Sequence, residues 1–187
     1  LYIKDNPNKV GEKDKYYDAN DGSEYSKAHA RFHPWFHELQ QNKGFYDVFL
    51  FSPKGDLVYS LFKESDFATN MHEGPWMATD LARTFRKAVT AVKSGSVVFY
   101  DFRPYAPSAD APASFMATAI RDRKGKVLGV LAFQMPINRI NSIMQKTDGL
   151  GNSGETYLVG EDLLMRSNSR FSEESTILKS KITGSTT

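Results

Sequence analysis

Runs of apolar residues separated by turn residues dominate the chain between residues 45 and 135. Two pairs of runs, FYDVFLFSPKGDLVYSLF and ASFMATAIRDRKGKVLGVLAFQM, each break at a Lys-Gly pair. Gly55 and Gly125 in those pairs can adopt the positive φ that a tight hairpin requires. A further apolar run lies between the two pairs. The pattern predicts an antiparallel sheet of about five strands, formed by residues 45–51, 57–62, 96–103, 114–120 and 127–135.

Helical periodicity precedes the first hairpin and separates the two hairpins. Apolar residues at spacings of three and four predict a helix over residues 23–42: Tyr25, Ala28, Phe32, Trp35, Phe36 and Leu39. Gly44 should end this helix, whereas Pro34 should kink it or restart it as a second helix. An apolar stripe predicts a second helix at residues 80–92. We expect the first helix to cover one face of the sheet and the 63–92 segment to cover the other.

Composition narrows the classes of function. The 187 residues include 24 basic and 22 acidic side chains that are well mixed, so the chain lacks the basic patch that nucleic-acid binding needs. The absence of cysteine excludes disulfides, thiolate catalysis and cysteine-ligated zinc. The sequence has no Ser-His-Asp order, paired-carboxylate setting or glycine-rich phosphate loop that stands out. We therefore predict that the chain is not an enzyme and that it binds neither nucleic acid nor a cofactor.

Two polar features interrupt the apolar pattern. His29, His33 and His37 are four residues apart on the first predicted helix, a spacing that lets neighbouring histidines share a metal. The outer two would lie about 12 Å apart at 1.5 Å per residue, and further ligands are missing, so a solvated or partner-facing histidine row is favoured over a metal site. Asp47 lies in a strand that is otherwise apolar. Its carboxylate needs a partner, and a group inside the protein is favoured over a ligand.

Small side chains occupy positions in two strands where bulk is expected. These are Ala117, Ala119, Gly129 and Ala132. Such positions either receive a covering helix closely or leave a cavity. A cavity would favour a ligand-binding protein, and a tightly filled interior would favour a dimerisation or adhesion module without a ligand.

The order of elements and three stretches resemble the Cache family, the PAS-like extracytoplasmic sensor modules of bacterial chemoreceptors, sensor kinases and cyclases. The stretches are Gly-Pro-Trp at 74–76, Pro104-Tyr105, and DRKGKVLGVLAFQMPINRI, which includes a short exit helix. The resemblance covers about residues 25–144 and is greatest to methyl-accepting chemotaxis proteins. It implies an α+β fold in which helices, including a long N-terminal one, flank a five-stranded antiparallel sheet. It also implies a periplasmic domain of an inner-membrane receptor, a homodimer in the full-length receptor, and membrane segments outside this fragment.

The resemblance also implies a ligand site. The carried-over positions are Trp76, Tyr105 and Gln134, and neighbouring strand positions add Tyr100, Asp101 and Phe115. The arginine, the tyrosine and the two aspartates that hold an α-amino acid in related modules are replaced by Gly74, Met77, Pro107 and Gln134. An amide cannot give an ammonium the charge-assisted bond that aspartate gives, so α-amino acids should bind weakly. A small carboxylate is favoured over a small cation held on aromatic faces, although an inward-pointing Asp101 would oppose that choice.

The resemblance divides the chain in two. Residues 1–145 correspond to a membrane-distal Cache lobe with its N-terminal helix. Residues 146–187 look like a linker and the incomplete start of a membrane-proximal lobe, too short for a core of its own. The alternative is that this segment folds back on the single sheet. The predicted function is ligand sensing for a transmembrane chemoreceptor; the alternatives are a sensor domain of a histidine kinase or nucleotide cyclase, or a ligand-free dimerisation module.

Overall fold

A five-stranded antiparallel sheet forms the centre of the molecule, as predicted. The computed structural model describes residues 1–183. The strands are β1 (Asp47–Phe51), β2 (Leu57–Ser60), β3 (Val98–Tyr105), β4 (Ala111–Arg121) and β5 (Val127–Gln134). Their order across the sheet is β2-β1-β5-β4-β3, and every neighbouring pair is antiparallel. The chain is therefore an α+β fold in which β1, β5 and β4 are central and β2 and β3 form the edges.

Within residues 1–183, three α-helices accompany the sheet: α1 (Glu24–Lys43), α2 (Asp80–Val89) and α3 (Ile137–Met144). The hydroxyl of Ser23 caps α1 by accepting the amide of Ser26, and Gly44 ends the helix at φ 72°. The helix continues through Pro34 without a break, so the predicted restart as a second helix is wrong. Proline removes one backbone donor, and the packing of the helix on its neighbours outweighs that loss.

One face of the sheet, which we call the α2 face, carries the main core. Phe49 and Phe51 of β1, Val130 and Ala132 of β5, and Phe115 and Ala117 of β4 pack there against Leu81, Phe85 and Ala88 of α2. The alanines let the helix approach closely, so they receive a covering helix. Gly129 is required for a different reason, because a Cβ atom there would lie 2.6 Å from the carbonyl oxygen of Phe51.

The opposite face, the α1 face, is covered incompletely. Phe36 of α1 packs on Tyr59 of β2 with ring centroids 4.8 Å apart. Val48 of β1 is fully buried on this face. At the β3 edge of this same face, Val97 and Phe99 remain 62% and 54% exposed. The expectation that both faces are covered therefore holds for β1 and fails for β3, because α1 reaches only the β1–β2 side.

Two of the three histidines, His29 and His33, are buried and His37 is partly exposed, which corrects the expectation of a solvated or partner-facing row. His33 is fully buried, and its ring nitrogens contact the hydroxyl of Tyr59 at 2.8 Å and the carbonyl of Asp14 at 2.6 Å. Burial lowers the pKa of His33 to about 3 and that of His29 to about 4. His37 contacts the carboxylate of Asp14 at 3.1 Å. The three histidines thus fasten the N-terminal segment to α1 through hydrogen bonds, and the lowered pKa values keep His29 and His33 neutral at physiological pH.

The C-terminal segment packs on the β3 edge and on α3. Within residues 146–183 the regular pairing consists of isolated bridges, between Val159 and Met165 and between Leu164 and Lys181. The backbone N–H of Asn168 donates to the side-chain Oδ1 of Asn141 in α3. The assignment of this segment to a second lobe stays a prediction, and its last four residues lie outside the described part. In the described residues, every helix is too short or too polar to cross a bilayer.

Candidate ligand-binding site

A row of four side chains crosses the α2 face from one strand to the next. Asp47 of β1 pairs with Gln134 of β5, Gln134 pairs with Phe115 of β4, and Phe115 pairs with Tyr100 of β3. Residues directly opposite each other in an antiparallel pair point to the same face. The row therefore places a carboxylate, an amide and two aromatic rings side by side.

The segment that follows β2 lies above this row. Tyr105, at the end of β3, packs its ring edge-on against Phe115 with centroids 4.9 Å apart. Its hydroxyl donates to Oδ2 of Asp66 at 2.6 Å. Glu64 accepts hydrogen bonds from the hydroxyls of Tyr46 and Ser108. The 63–66 stretch thus brings two more carboxylates to the α2 face, beside Asp47.

A cleft of about 350 Å³ opens next to Tyr105 and Phe115. Its other walls come from the start of α2, the end of β3 and the β3–β4 turn. They include the side chains of Asp80, Arg83 and Arg103. Asp80 is 8% exposed and contacts Arg83 at 2.9 Å and Arg103 at 3.7 Å. The side chains of Arg83 and Arg103 are 44% and 66% exposed, so each keeps donors available to an anion in the cleft.

Burial changes the acidity of the carboxyl groups at the site. Desolvation raises the pKa of Asp66 to about 6, against a smaller opposing effect of the hydrogen bond from Tyr105. Desolvation and the nearby Asp66 raise the pKa of Asp47 well above its usual range. Desolvation also raises the pKa of Glu64. Three carboxyl groups with raised pKa values in one place are typical of a functional site rather than of a surface cluster.

Three buried oxygens at the site have no hydrogen-bond partner among the described residues. They are Oδ2 of Asp47, Oδ1 of Asp66 and Oε1 of Gln134. Each belongs to a side chain that is at most 3% exposed. All three are hydrogen-bond acceptors in the ionised or amide form. The site therefore has a surplus of acceptors over donors.

The structure brings together four of the six residues predicted from the sequence, Tyr100, Tyr105, Phe115 and Gln134. Asp101 is separate from them, because both of its contacts with Arg166 of the C-terminal segment, at 2.9 and 3.1 Å, lead away from the site. The objection that Asp101 raised against an anionic ligand is therefore removed.

Trp76 reaches the site indirectly. Its indole N–H donates to the carbonyl oxygen of Ser65 at a distance of 3.0 Å. Ser65 is the residue that precedes Asp66. It is absent from the walls of the cleft beside Tyr105. Its observed contact is that of a residue that positions the 63–66 stretch. Whether it touches a ligand stays a prediction.

Sequence reasoning missed Asp66, Asp80, Arg83 and Arg103. The 63–92 segment was predicted only to cover one face of the sheet, and residues 80–92 only to form a helix with an apolar stripe. A usable signal was present: Lys63, Glu64 and Asp66 follow immediately after a strand with apolar residues. Charged residues at the end of a buried strand are candidates for burial with specific partners.

No protein-family model and no curated protein matches this sequence. Solved structures do match. The ligand-binding domain of Pseudomonas fluorescens chemoreceptor CtaA in complex with L-serine superposes with a TM-score of 0.52 at 15% identity, over 82% of this chain and 58% of that one. The corresponding domain of the Pseudomonas aeruginosa PAO1 amino acid chemoreceptor PctC, in complex with GABA, gives 0.51 at 18% identity, over 86% and 62%.

This chain has the same fold as these ligand-binding domains. A third match, the ligand-binding domain of Campylobacter jejuni chemoreceptor Tlp3 in complex with 4-methylisoleucine, has a TM-score of 0.50 at 13% identity and covers 72% of this chain. This chain spans 58%, 62% and 48% of the lengths of these three domains. The predicted fold class is thereby confirmed, and these neighbours are ligand-binding domains of receptors.

Proposed function

We propose that this chain is the extracytoplasmic ligand-sensing part of a transmembrane chemoreceptor and that it has no catalytic role. The observation that carries the proposal is the cleft on the α2 face, where Tyr105 and Phe115 join an open, polar entrance to a buried row of hydrogen-bonding side chains. Aromatic walls with a few polar tips are the usual composition of a small-molecule site. The fold shared with receptor domains that bind small molecules supports the same role.

The ligand we propose is a small organic molecule that carries a carboxylate. Arg83 and Arg103 supply the cations for it at the mouth of the cleft. Both arginines are held by Asp80, which orients them without covering them. A guanidinium group presents a planar set of donors that matches a carboxylate.

Signal transmission would start at Gln134. This residue ends β5, and α3 begins three residues later at Ile137. Arg139 of α3 donates to the carbonyl of Lys43 at 2.7 Å, which connects α3 to the end of α1. A ligand that binds one arrangement of β5 more tightly than another would therefore shift α3 and α1 together.

The longer protein proposed here is an inner-membrane homodimer with this domain in the periplasm. Residues 1–145 would be the membrane-distal lobe and residues 146–187 the start of a second lobe. The partial coverage of the three receptor domains supports a further lobe in the longer protein. The transmembrane parts and the dimer contacts would belong to that longer protein.

Ligand screening by thermal shift tests the proposal. A ligand present at 100 times its Kd stabilises the folded state by about 2.7 kcal/mol, which raises Tm measurably. We expect small carboxylates among a panel of organic acids and amines to raise Tm. Arg103→Gln should weaken that effect, whereas Arg123→Gln, at an exposed position in the β4–β5 turn, should leave it unchanged. If no member of the panel raises Tm, the ligand-free dimerisation module becomes the better interpretation.

A further inference from the structure

The three histidines of α1 form a stacked row that faces the N-terminal segment, which we define as residues 1–22. The ring centroids of His29 and His33 are 4.3 Å apart, and those of His33 and His37 are 6.1 Å apart. Residues four apart lie on one face of a helix, which explains the stack. The buried residues of α1 are Ser26, His29 and His33, so this helix turns ionisable rings inward. Buried ionisable rings resist protonation.

Ring nitrogens of the row hold the N-terminal segment on α1. Nδ1 of His29 donates to the carbonyl oxygen of Tyr17 at 2.8 Å, and Nε2 of His33 donates to the carbonyl oxygen of Asp14 at 2.6 Å. A carbonyl oxygen only accepts, so each of these two nitrogens carries the hydrogen. The other nitrogen of a neutral ring is then an acceptor. In His33 that nitrogen is Nδ1, which accepts from the hydroxyl of Tyr59 at 2.8 Å.

A second proton on either ring conflicts with this arrangement. On His33 it would turn Nδ1 into a donor that faces the donating hydroxyl of Tyr59. If His29 were protonated as well, two positive charges would lie on rings whose centroids are 4.3 Å apart. Like charges repel more strongly in a buried site than in water. The attached arrangement is therefore selective for neutral histidines.

The surroundings of the two rings act in the same direction. Desolvation is the main reason that the pKa of His29 falls to about 4 and that of His33 to about 3, and the charge of Lys63 adds to it. Lys63 follows β2 and is fully buried. Asp18 has a smaller, opposite effect on the pKa of His29. The other ionisable groups that face the two rings are Tyr2, Asp14 and Tyr17 of the N-terminal segment, Tyr25 and His37 of α1, and Tyr59 of β2.

Detachment of the N-terminal segment would return both rings to water, where the pKa of histidine is about 6.5. The detached state therefore binds more protons than the attached state once the pH falls below 6.5. Attachment is favoured above that pH and weakens as the pH falls towards the lowered pKa values of about 4 and about 3. Each histidine shifts the equilibrium by at most about tenfold per pH unit, and the pair by at most about a hundredfold.

We propose that the histidine row is a proton-sensing site, in which His29 and His33 take up protons in mildly acidic surroundings and thereby release the N-terminal segment from α1. This function goes beyond the proposed ligand sensing and does not rest on it, because the row lies on the α1 face and the cleft on the α2 face. Release would act on α1, whose last residue Lys43 accepts a hydrogen bond from Arg139 of α3. Proton uptake and ligand binding would therefore act on the same pair of helices.

Hydrogen exchange of the purified chain, followed by mass spectrometry at pH 7.5, 6.5 and 5, tests the proposal. The exchange of residues 13–19 is compared at each pH with that of a free peptide of residues 1–22, which corrects for the intrinsic effect of pH on exchange. The amides of Tyr16 and Ala19 form hydrogen bonds within this segment. We expect their protection to fall at least about tenfold between pH 7.5 and pH 5. The amides of α2 should stay protected, because the release is local.

Two replacements keep the hydrogen bonds and remove the titration. His29→Asn can donate from the position of Nδ1, His33→Gln can donate from the position of Nε2, and neither amide group titrates. The double variant should lose less than about threefold of its protection over the same pH range. His72→Gln, at an exposed histidine outside the row, is the matched control and should behave like the natural chain.

The proposal is wrong if the protection of residues 13–19 does not fall in the natural chain. It is wrong as well if the double variant loses as much protection as the natural chain, because other groups then drive the release. If the double variant does not fold, NMR titration of the imidazole C–H signals of the natural chain decides: His29 and His33 should take up protons where protection falls, and rings that stay neutral there overturn the proposal. A cleft that binds no ligand would leave all these results unchanged, so the two proposals fail separately.

Discussion

Replacing Asp66 with asparagine should stabilise the domain at neutral pH, although it removes a carboxyl group that lies beside the cleft. The carboxyl group of Asp66 is fully buried, and its pKa rises from 3.8 to about 6 on folding. The folded state therefore binds more protons than the unfolded state between these two values. The contribution of Asp66 to the free energy of unfolding must therefore fall as pH rises through that window and then stay constant.

The magnitude follows from the size of the shift. A change of one pKa unit corresponds to about 1.36 kcal/mol, so the rise from 3.8 to about 6 corresponds to about 3 kcal/mol. Asparagine imitates the protonated acid and does not titrate. Between pH 4 and pH 7.5 we expect Asp66→Asn to gain roughly 2–3 kcal/mol over the natural chain. For a domain of this size that is on the order of 5–10 °C in Tm.

The groups that face Asp66 belong to three elements. Tyr105 of β3 donates to it, Glu64 of the same crossing segment repels it, and Asp47 of β1 is repelled by it. Glu64 and Asp47 also have raised pKa values, so both chains keep a pH dependence of their own. The quantity to compare is therefore the difference between variant and natural chain at each pH.

Urea denaturation followed by tryptophan fluorescence at a series of pH values between 4 and 7.5 measures this difference. Asp148→Asn serves as the control, since its carboxyl group is exposed and its replacement should give a difference near zero at every pH. The reasoning is refuted if the difference for Asp66→Asn does not grow with pH. It is refuted equally if the variant is less stable than the natural chain at pH 7.5.

Three further expectations concern single contacts. Phe115→Ala should lower the free energy of unfolding by about 3–5 kcal/mol, because the ring is almost fully buried. Phe99→Ala, at a half-exposed ring, should lower it by less than about 1 kcal/mol. Equal losses of stability in urea denaturation would contradict this expectation. Trp76→Phe should lower the free energy of unfolding by about 1 kcal/mol, because it removes the hydrogen bond to Ser65. It should also weaken ligand binding through the neighbouring Asp66. Unchanged affinity in calorimetry would show that this positioning is unimportant. Arg166→Met should release the C-terminal segment, because it breaks the ion pairs of Arg166 with Asp101 and Asp162. Limited proteolysis would detect the release as faster cleavage within residues 157–181. An unchanged cleavage rate would mean that other contacts hold the segment.

Local sequence patterns determined the sheet. Strand length, the two Lys-Gly turns and the order of elements are local properties, because a hairpin is specified by its turn residues and by the apolar residues on either side. Gly55 and Gly125 have φ values of 95° and 85°, as a tight turn requires. The same locality explains why α1 could be predicted with its end at Gly44.

Tertiary contacts decided the contents of the site. Asp47 and Asp101 have the same kind of sequence environment, each a carboxylate within an apolar strand. Asp47 lies in central β1, where it is enclosed against Gln134, whereas Asp101 lies on edge strand β3, where Arg166 from a distant part of the chain can reach it. Position in the sheet depends on long-range pairing, which periodicity does not reveal.

Asp66 shows the same division between local and long-range information. Its place in an irregular segment was visible in the sequence, but its burial depends on Tyr105, which is 39 residues away in the chain. The raised pKa and the unpartnered oxygen exist because folding removes the carboxyl group from water at that contact. The sequence by itself determined the five-stranded sheet and predicted an aromatic candidate site. The tertiary structure decided that buried carboxyl groups lie beside those aromatic residues, because solvent exclusion is a property of the packed chain.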